Sequence, residues 1–600
     1  MTSRGHANAV GDQVSAVESA DVRRRFTRAA PPLADAARAI APLLLVITGI
    51  GIVNIVWLFR FRFGQVTGWD ESGYIAIAVR DTRALHDGGL TSLVGEFERQ
   101  NLQAPLLPLI TVPINAVLGN GVFQSLIALQ VVAAGLMVAT FLLARTLMSR
   151  NWSLLAAACV GTTPAIVDYG RLYVFSLPAA VFLTGSVWML IRSDRLRERR
   201  WVVGSGVLVG LMLLSRTMTF AFLPALVVVG FALLLAGGRD GRRRRFSSIL
   251  LAGFAMVLVA GTWYLRNAIS VASYLLHYGY GDQAGGFGQA HPVSSWAYWA
   301  KDLRLSAQSL YLPLVLLTVA AILFAAVDSI RSRTPARAVL RSPIFVLATV
   351  PVVGYLVLTS SKNEGSGFVV PLLPLLVVLA VAAAARLRHP IVRQVFAVLF
   401  VVACVGNVAL KSGFISVFGD HVALRIPGVG SVPVLDGRGL IQVEVADAGY
   451  PAGSATVPLP AVHKRWLPVM EEVTSFAHGY ASRRNETPYV VFGSDNQIFN
   501  TTRADLANAL SGYVGTRTSF IEHDPNGDRV SYYKRRLEDL KPNFVETAGR
   551  NSATGSTGIT PEHVAAALLS LRYRRVRVFT LPDGRPASLW YHEQATLSRT

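Results

Sequence analysis

The first two thirds of the chain consist largely of apolar runs close to 20 residues long, separated by short polar connections. Of the 600 residues, 52% are hydrophobic and 16% are charged. A helix of about 20 apolar residues crosses the roughly 30 Å hydrocarbon core of a bilayer, and soluble domains do not repeat such stretches. The sequence therefore predicts an α-helical, multi-pass membrane protein with about eleven transmembrane helices.

The predicted spans alternate with basic connections. They lie near residues 40–59, 122–146, 152–167, 172–191, 201–215, 217–236, 247–265, 308–327, 342–359, 367–385 and 391–410. Arginine clusters follow every even-numbered span, and Lys and Arg are retained on the cytoplasmic side of membranes. The formal net charge of +21 is explained by this orientation, so nucleic acid is not a predicted partner.

This orientation divides the chain into three parts. Residues 1–38 form a cytoplasmic N-terminal segment, and residues 39–410 form a transmembrane domain with outer loops at 60–121 and 266–307. After residue 411 Gly, Pro and charged residues return, and we expect residues 411–600 to fold outside the cytoplasmic membrane. The patterns there predict a small α/β domain, with a strand at 489–494, helices at 502–513 and 561–571, and a hairpin joining 575–581 to 587–592.

An acidic pair stands about ten residues after the first span, in Gly68-Trp69-Asp70-Glu71-Ser72-Gly73-Tyr74. Two carboxylates at a membrane surface are costly to desolvate unless they have a partner or a task. A structural explanation is also available, because the following residues have helical spacing. Asp70 would then cap that helix and Glu71 would offset its dipole, which is the more common role of such a pair.

Five short elements on the predicted outer side favour a functional role for the pair. In order they are Asp70, Glu71 and Tyr74; Gln103-Ala104-Pro105-Leu106; Gly170-Arg171-Leu172-Tyr173 with Pro178; Trp263-Tyr264-Leu265-Arg266-Asn267; and Ser361-Lys362 followed by Phe368 and Pro371. This order resembles the GT-C glycosyltransferases, in particular the relatives of protein O-mannosyltransferases and aminoarabinose transferases of glycosyltransferase families 39 and 83. The resemblance extends over residues 40–410.

The resemblance implies an enzyme that transfers a sugar from a polyprenyl-phosphate donor to an envelope glycan, lipid or protein. It places the reaction at the outer face of the cytoplasmic membrane. Such chemistry needs a carboxylate to accept the proton of the attacking hydroxyl, and Asp70 is the predicted base. It also needs fixed cations for the leaving phosphate. The predicted substrate and phosphate-binding residues are Tyr74, Arg99, Gln103, Arg171, Tyr173, Arg266 and Lys362.

The sequence leaves three roles open for Glu71, which can position the acceptor, bind a cation or cap the helix. The sequence contains no metal-ligand spacing of His and Cys, so we predict no protein-held metal and no cofactor. A divalent cation bound by Asp70 and Glu71 together with a phosphate is left open. The family often has Lys at the position of Gln103 and Asp at that of Ser176, which leaves donor and acceptor identity open.

Two functions from other classes compete with the transferase. A transporter or flippase of a lipid-linked sugar would carry ionisable residues in mid-membrane, whereas the predicted span interiors are nearly free of charge. A non-catalytic subunit of an envelope-assembly complex would not need an intact acidic pair.

Three other parts of the sequence have weaker interpretations. Arg216 lies between two closely spaced spans, where a role as an anchor at the membrane interface explains it as well as a functional role does. Residues 274–299 form a long outer loop that we expect to cover the site, with Asp282 and His291 as secondary site residues. Cys159 and Cys404 fall within spans, where we expect small apolar side chains rather than a disulfide pair.

Overall fold

The computed structural model of the protein describes residues 33–98, 103–236, 241–281, 295–331, 342–363, 365–416, 420–447, 449–493, 498–513, 515–522, 524, 527, 529–548 and 559–593. Helices dominate as far as residue 411. They are α1 (Leu33–Phe61), α2 (Trp69–Glu98), α3 (Leu106–Leu118), α4 (Val122–Arg145), α5 (Arg150–Thr162), α6 (Pro164–Tyr169), α7 (Ser176–Arg192), α8 (Arg199–Ser215), α9 (Leu223–Ala236), α10 (Arg242–Gly279), α11 (Trp296–Arg331), α12 (Pro343–Leu358), α13 (Ser366–Val369), α14 (Leu373–Ala385) and α15 (Pro390–Lys411).

The apolar runs of the sequence are helical, as predicted. Among the described residues, seven helical segments are long and apolar enough to cross a membrane, and they are Ile40–Phe61, Val122–Arg145, Thr217–Leu235, Arg242–Gly279, Trp296–Asp328, Gly367–Ala385 and Pro390–Lys411. Shorter apolar helices include α3, α7 and α12. Every one of the eleven predicted spans overlaps a helix. The exact number of membrane crossings stays a prediction.

Strands appear only after residue 411 in the described part of the chain. They are β1 (His421–Ile426), β2 (Gly430–Asp436), β3 (Tyr489–Phe492), β4 (Arg517–Phe520), β5 (Phe544–Ala548), β6 (Arg574–Thr580) and β7 (Pro586–Tyr591). The helices among them are α16 (Leu440–Asp447), α17 (Trp466–Ser482), α18 (Thr501–Ser511), α19 (Val530–Leu540) and α20 (Pro561–Ser570). β1 and β2 form a separate antiparallel pair.

The larger sheet has the order β4-β3-β5-β7-β6. β3 runs parallel to β4 and to β5, whereas β7 is antiparallel to β5 and to β6. The predicted strand at 489–494, the helices at 502–513 and 561–571 and the C-terminal hairpin are all present. Apolar side chains of α17, α18 and the sheet form one core, so this region is an α/β unit. Its boundary at residue 411 stays a prediction.

Segments that the sequence assigns to the outer side lie together in space. Arg216 Nη1 donates to the Gly367 carbonyl over 2.9 Å. Lys411 Nζ lies 2.8 Å from Asp168 Oδ1. These contacts join the connection after α8 to α13, and α6 to the end of α15. The alternation of basic loops places all of these positions on one side of the membrane. Which side of the bilayer this is remains a separate prediction.

Two glycines of α8 lie where this helix packs closely against α10. A methyl group at Gly206 would overlap the backbone carbonyl of Ala252 in α10. One at Gly210 would lie 2.8 Å from Val259 Cβ and 2.9 Å from the Met256 carbonyl oxygen. Small residues four apart let two membrane helices approach closely, which compensates for the lack of a hydrophobic driving force between helices in lipid.

We expect Gly206→Ala to lower the stability of the protein, because backbone at the contact must move to admit the methyl group. Overpacking of this kind costs about 1–3 kcal/mol. Gly230→Ala is the matched control, since this glycine of α9 has open space around its Cα. Thermal unfolding in detergent checks the pair. Equal melting temperatures for the two variants would contradict close packing at Gly206.

Candidate active site

The acidic pair begins α2, and Glu71 caps that helix. Glu71 Oε2 accepts a hydrogen bond from the Gly68 backbone N–H over 3.2 Å. Ser72 Oγ adds a 2.8 Å hydrogen bond to the Gly68 carbonyl. A side chain that reaches back to an N–H before the helix satisfies one of the groups that every helix start leaves open.

Glu71 also forms a fully buried ion pair. Its Oε2 lies 2.6 Å from Arg62 Nη2, and each of the two side chains is only 1% exposed. Glu71 Oε1 accepts from the Tyr173 backbone N–H over 2.9 Å. Both carboxylate oxygens are therefore used by the protein, and together they fasten the start of α2 to the end of α1 and to the connection between α6 and α7.

Asp70, one residue earlier, is exposed. Its carboxylate nevertheless has enough protein around it for burial to raise its pKa above the ordinary value, while the positive charge of Arg216 opposes that rise. Burial, followed by the negative charge of Asp70, raises the pKa of Tyr74. Tyr274 of α10 is close enough to feel the charges of both Asp70 and Arg216. These four side chains form one electrostatic cluster, which we call the Asp70 cluster.

Hydrogen bonds from one nitrogen of the guanidinium group hold the Arg216 side chain in place. Nη1 donates to Ser176 Oγ over 2.8 Å and to the Gly367 carbonyl over 2.9 Å. The group also lies over the Phe368 ring, with its central carbon 4.4 Å from the ring centroid. Within the described ranges Nε and Nη2 have no hydrogen-bond partner, so these donors of an oriented cation, whose charge acts on Asp70, are available to a ligand.

Glu444 of α16 approaches the same place from the C-terminal region. Its Oε2 lies so close to Gly68 that a methyl group there would overlap it. Burial, followed by the negative charges of Glu71 and Asp70, raises the pKa of Glu444 to about 8. This carboxyl group therefore holds its proton more readily than an ordinary glutamate, and it lies next to the acidic pair.

Several predicted site residues have structural partners. Tyr173 is buried and its hydroxyl lies 2.6 Å from Thr111 Oγ1. Arg171 is buried, donates from Nε to Asn54 Oδ1 over 3.0 Å and from Nη1 to the Lys411 carbonyl, and stacks 4.3 Å from the centroid of the Trp57 ring. Burial lowers the pKa of Arg171 to about 9. Its contacts lie with the Asp168–Lys411 ion pair rather than in the Asp70 cluster.

The remaining predicted residues do not share one location. Tyr74 packs on Phe175, with ring centroids 3.9 Å apart, and belongs to the Asp70 cluster. Arg266 is exposed and pairs with Glu98. Lys362 has an exposed side chain, and its backbone N–H donates to the Gly279 carbonyl over 2.9 Å. Gln103 is half-buried ahead of α3. Three predicted residues, Arg99, Asp282 and His291, lie outside the described residues.

Sequence reasoning did not assign Arg216, Tyr274 or Glu444 to the site. The signal for Arg216 was present, as a single cation in the short connection Leu214-Ser215-Arg216-Thr217. Tyr274 was expected only in a covering loop, whereas it lies on α10, one turn before the end of that helix. Glu444 had no signal, because it reaches Gly68 from a part of the chain nearly 400 residues away.

No group of three or more His, Cys, Asp or Glu side chains is placed to hold a metal ion in the part of the chain that the structure describes. Glu71 is fully used by Arg62 and two backbone N–H groups, which leaves Asp70 as the accessible acid of the pair. A cation at this position would therefore need oxygens from a bound phosphate. Its presence stays a prediction.

Comparisons with known proteins agree on the fold. The family described as dolichyl-phosphate-mannose-protein mannosyltransferase matches residues 103–264. No curated protein matches the chain significantly by sequence. ArnT from Cupriavidus metallidurans, in its crystal structure bound to undecaprenyl phosphate, is 14% identical, with 94% of this chain and 99% of ArnT covered and a TM-score of 0.51.

Two further solved structures resemble the chain along most of its length. The archaeal oligosaccharyltransferase AglB from Archaeoglobus fulgidus is 11% identical, with 93% of this chain and 74% of AglB covered and a TM-score of 0.51. The arabinofuranosyltransferase AftD from mycobacteria is 13% identical, with 91% of this chain but 39% of AftD covered and a TM-score of 0.50. At these identities the likeness shows a shared fold.

We expect Glu71→Ala to destabilise the folded protein strongly, because Arg62 would be left as a buried charge without a partner. Breaking a buried ion pair by removing one member costs about 3–5 kcal/mol. The matched control is Glu98→Ala, which breaks the exposed pair with Arg266, and exposed pairs contribute about 0–1 kcal/mol. Melting temperatures of the two variants in the same detergent test this. A Glu71→Ala protein as stable as the control would contradict the structural role.

Proposed function

We propose that this chain, which has the GT-C glycosyltransferase fold, is a membrane enzyme that transfers a sugar from a polyprenyl-phosphate donor to a hydroxyl group of an envelope glycan, lipid or protein. The observation that carries this proposal is an accessible carboxylate, Asp70, within electrostatic reach of an oriented cation, Arg216, where the ends of several membrane helices meet. ArnT and AglB, which share the fold, have been solved with undecaprenyl phosphate and a dolichol-phosphate respectively.

The reaction we propose is a direct displacement at the anomeric carbon with inversion. The acceptor hydroxyl attacks that carbon while its proton passes to a carboxylate oxygen of Asp70. The bond between the anomeric carbon and the phosphate oxygen breaks, and the leaving phosphate takes up negative charge. Arg216 faces that charge, and fixed donors of this kind stabilise a transition state without having to reorganise.

The electrostatic environment suits Asp70 to accept a proton. A carboxylate with the ordinary pKa of about 3.9 is a weak base, and burial that raises its pKa brings it closer to the working pH. Arg216 opposes this rise and so favours the ionised form of Asp70, which is the form that accepts a proton. Perturbation by burial together with one specific charge partner is typical of functional sites.

The proposed location is the outer face of the cytoplasmic membrane, with residues 411–600 outside. The basic even-numbered loops support this orientation, and the Asp70 cluster lies at the opposite helix ends. A donor with its lipid chain in the bilayer would present its phosphate at this level. The position of Glu444 supports a contribution of the C-terminal region to the site on the acceptor side.

Asp70→Asn is expected to abolish most sugar transfer while the fold is retained. Loss of a general base lowers a rate by about 10²–10⁴-fold. Because burial raises the pKa of Asp70, its ionised form destabilises the folded state at neutral pH, so a neutral Asn does not lower the melting temperature. The assay uses proteoliposomes, a panel of radiolabelled polyprenyl-phosphate sugars and envelope extract as acceptor.

Transfer that survives in well-folded Asp70→Asn protein would remove Asp70 as the base. If neither protein transfers sugar while labelled lipid crosses the bilayer equally in both, the flippase function replaces the transferase. If neither reaction occurs, a non-catalytic role in envelope assembly is the remaining function.

Arg216→Gln is expected to shift the acid limb of the pH–rate profile to higher pH. Transfer requires ionised Asp70, so activity is present above its pKa and is lost as the pH falls through that value. Removing the cation that lowers this pKa raises it further. The control is Arg145→Gln, an exposed arginine at the opposite ends of the helices. If the acid limb of the Arg216→Gln profile is unchanged, Arg216 does not lower the pKa of the base.

A further inference from the structure

The chain contains two cysteines, and the structure brings them together. Cys159 lies in α5 and Cys404 in α15, 245 residues apart in sequence, yet their Sγ atoms are 3.2 Å apart. The sequence places both in membrane spans and predicts no pairing between them. Both cysteines are free thiols in the structure, as expected for small apolar side chains, and they are in contact with each other.

The helix that carries Cys404 is attached to the protein along a narrow stripe. Its buried side chains are Phe396, Phe400 and Lys411, and Cys404 is half-buried on the same line. Successive spacings of four, four and seven residues place these side chains on one face of a helix. Most of the large apolar residues of α15 outside this stripe are exposed, as expected for a helix that faces lipid.

The opposing side chains come from α5 and the short helix that follows it. Cys159 is buried within the main apolar core. Asp168, nine residues later, pairs with Lys411 over 2.8 Å. Cys404 and Lys411 are seven residues apart on α15, about 10 Å at 1.5 Å per residue. The cysteine pair and the ion pair are thus two successive attachment points between the same two parts of the chain.

We propose that Cys159 and Cys404 form an intramolecular disulfide that fastens α15 to α5. The Sγ atoms must approach by about 1 Å to reach the disulfide bond length of about 2.05 Å. Side-chain rotation on two helices that already touch supplies such a movement. Cys404 lies two turns before the end of α15 that the basic loops place outside the cytoplasm, and oxidants on that side keep disulfides formed.

The bond forms by thiol–disulfide exchange with a disulfide-carrying oxidant. The half-buried Cys404 loses its proton and attacks one sulfur of the oxidant, which releases the first thiolate and leaves a mixed disulfide. Cys159 then loses its proton and attacks Cys404 Sγ, and the second thiolate of the oxidant leaves. Both cysteines are oxidised, the oxidant is reduced to two thiols, and the two protons pass to the released thiolates.

The disulfide would stabilise the link between the membrane helices and the C-terminal region, because α15 leads directly into that region. A bond between residues 245 apart closes a long loop, and a long closed loop restricts the unfolded chain strongly. This consequence does not depend on the transferase activity.

The test counts free thiols in the intact full-length chain. Cells are quenched in acid, thiols are blocked with N-ethylmaleimide under denaturing conditions, and the purified protein is weighed by mass spectrometry. We expect a chain without adducts and lighter by two hydrogen atoms, which gains two adducts if it is reduced before blocking. Proteolysis without reductant should release one peptide containing both cysteines.

The Cys404→Ser variant is the control and should carry one adduct whether or not it is reduced. Reductant should lower the melting temperature of the wild type by a few degrees and leave Cys159→Ser/Cys404→Ser unchanged. Two adducts on unreduced wild type, persisting after the folded protein is treated with diamide, would overturn the proposal. A disulfide between two chains, seen as a dimer on a non-reducing gel, would overturn it equally.

Discussion

The buried ion pair between Arg62 and Glu71 fixes the geometry on which the candidate site depends. Both side chains are removed from water, and a buried charge that loses its partner is strongly destabilising. Glu71 also accepts hydrogen bonds from the backbone of Gly68 and Tyr173, and Arg62 Nη1 donates to the Arg171 carbonyl over 3.2 Å. Three separate parts of the chain therefore meet in one arrangement. The direction in which α2 leaves this point decides where Asp70 lies.

The two acids of the pair are neighbours in sequence but have different electrostatic surroundings. Glu71 has a full complement of donors, which is how a protein stabilises a buried carboxylate. Asp70 remains accessible at the surface. The protein around its carboxylate still displaces enough water to raise its pKa, and the charge of Arg216 opposes that rise. One acid thus holds the structure, and the carboxylate of the other stays accessible. Two neighbouring residues can have such different surroundings because consecutive side chains of an α-helix point about 100° apart.

The C-terminal region packs directly on the start of α2. Arg503 Nη1 donates to Thr67 Oγ1 over 2.6 Å, and the Thr502 hydroxyl donates to the Trp69 carbonyl over 2.5 Å. Glu444 lies against Gly68 from another direction. The three residues that precede Asp70 in sequence are therefore held by side chains from beyond residue 440. A change in this region would reach the Asp70 cluster through the backbone that positions it.

The sequence by itself determined the helical membrane class, the positions of the apolar helices, and the C-terminal strands and hairpin, and it predicted Asp70 as the base. These follow from local properties, since about 20 apolar residues predict a span and an alternating run predicts a strand whatever else is near. Only the tertiary structure decided that Glu71 and Arg171 are buried in structural contacts, that Arg216, Tyr274 and Glu444 lie near Asp70, and that Cys159 meets Cys404. Each of these depends on residues far apart in the chain, because burial and charge partners are properties of three-dimensional packing that no local pattern records.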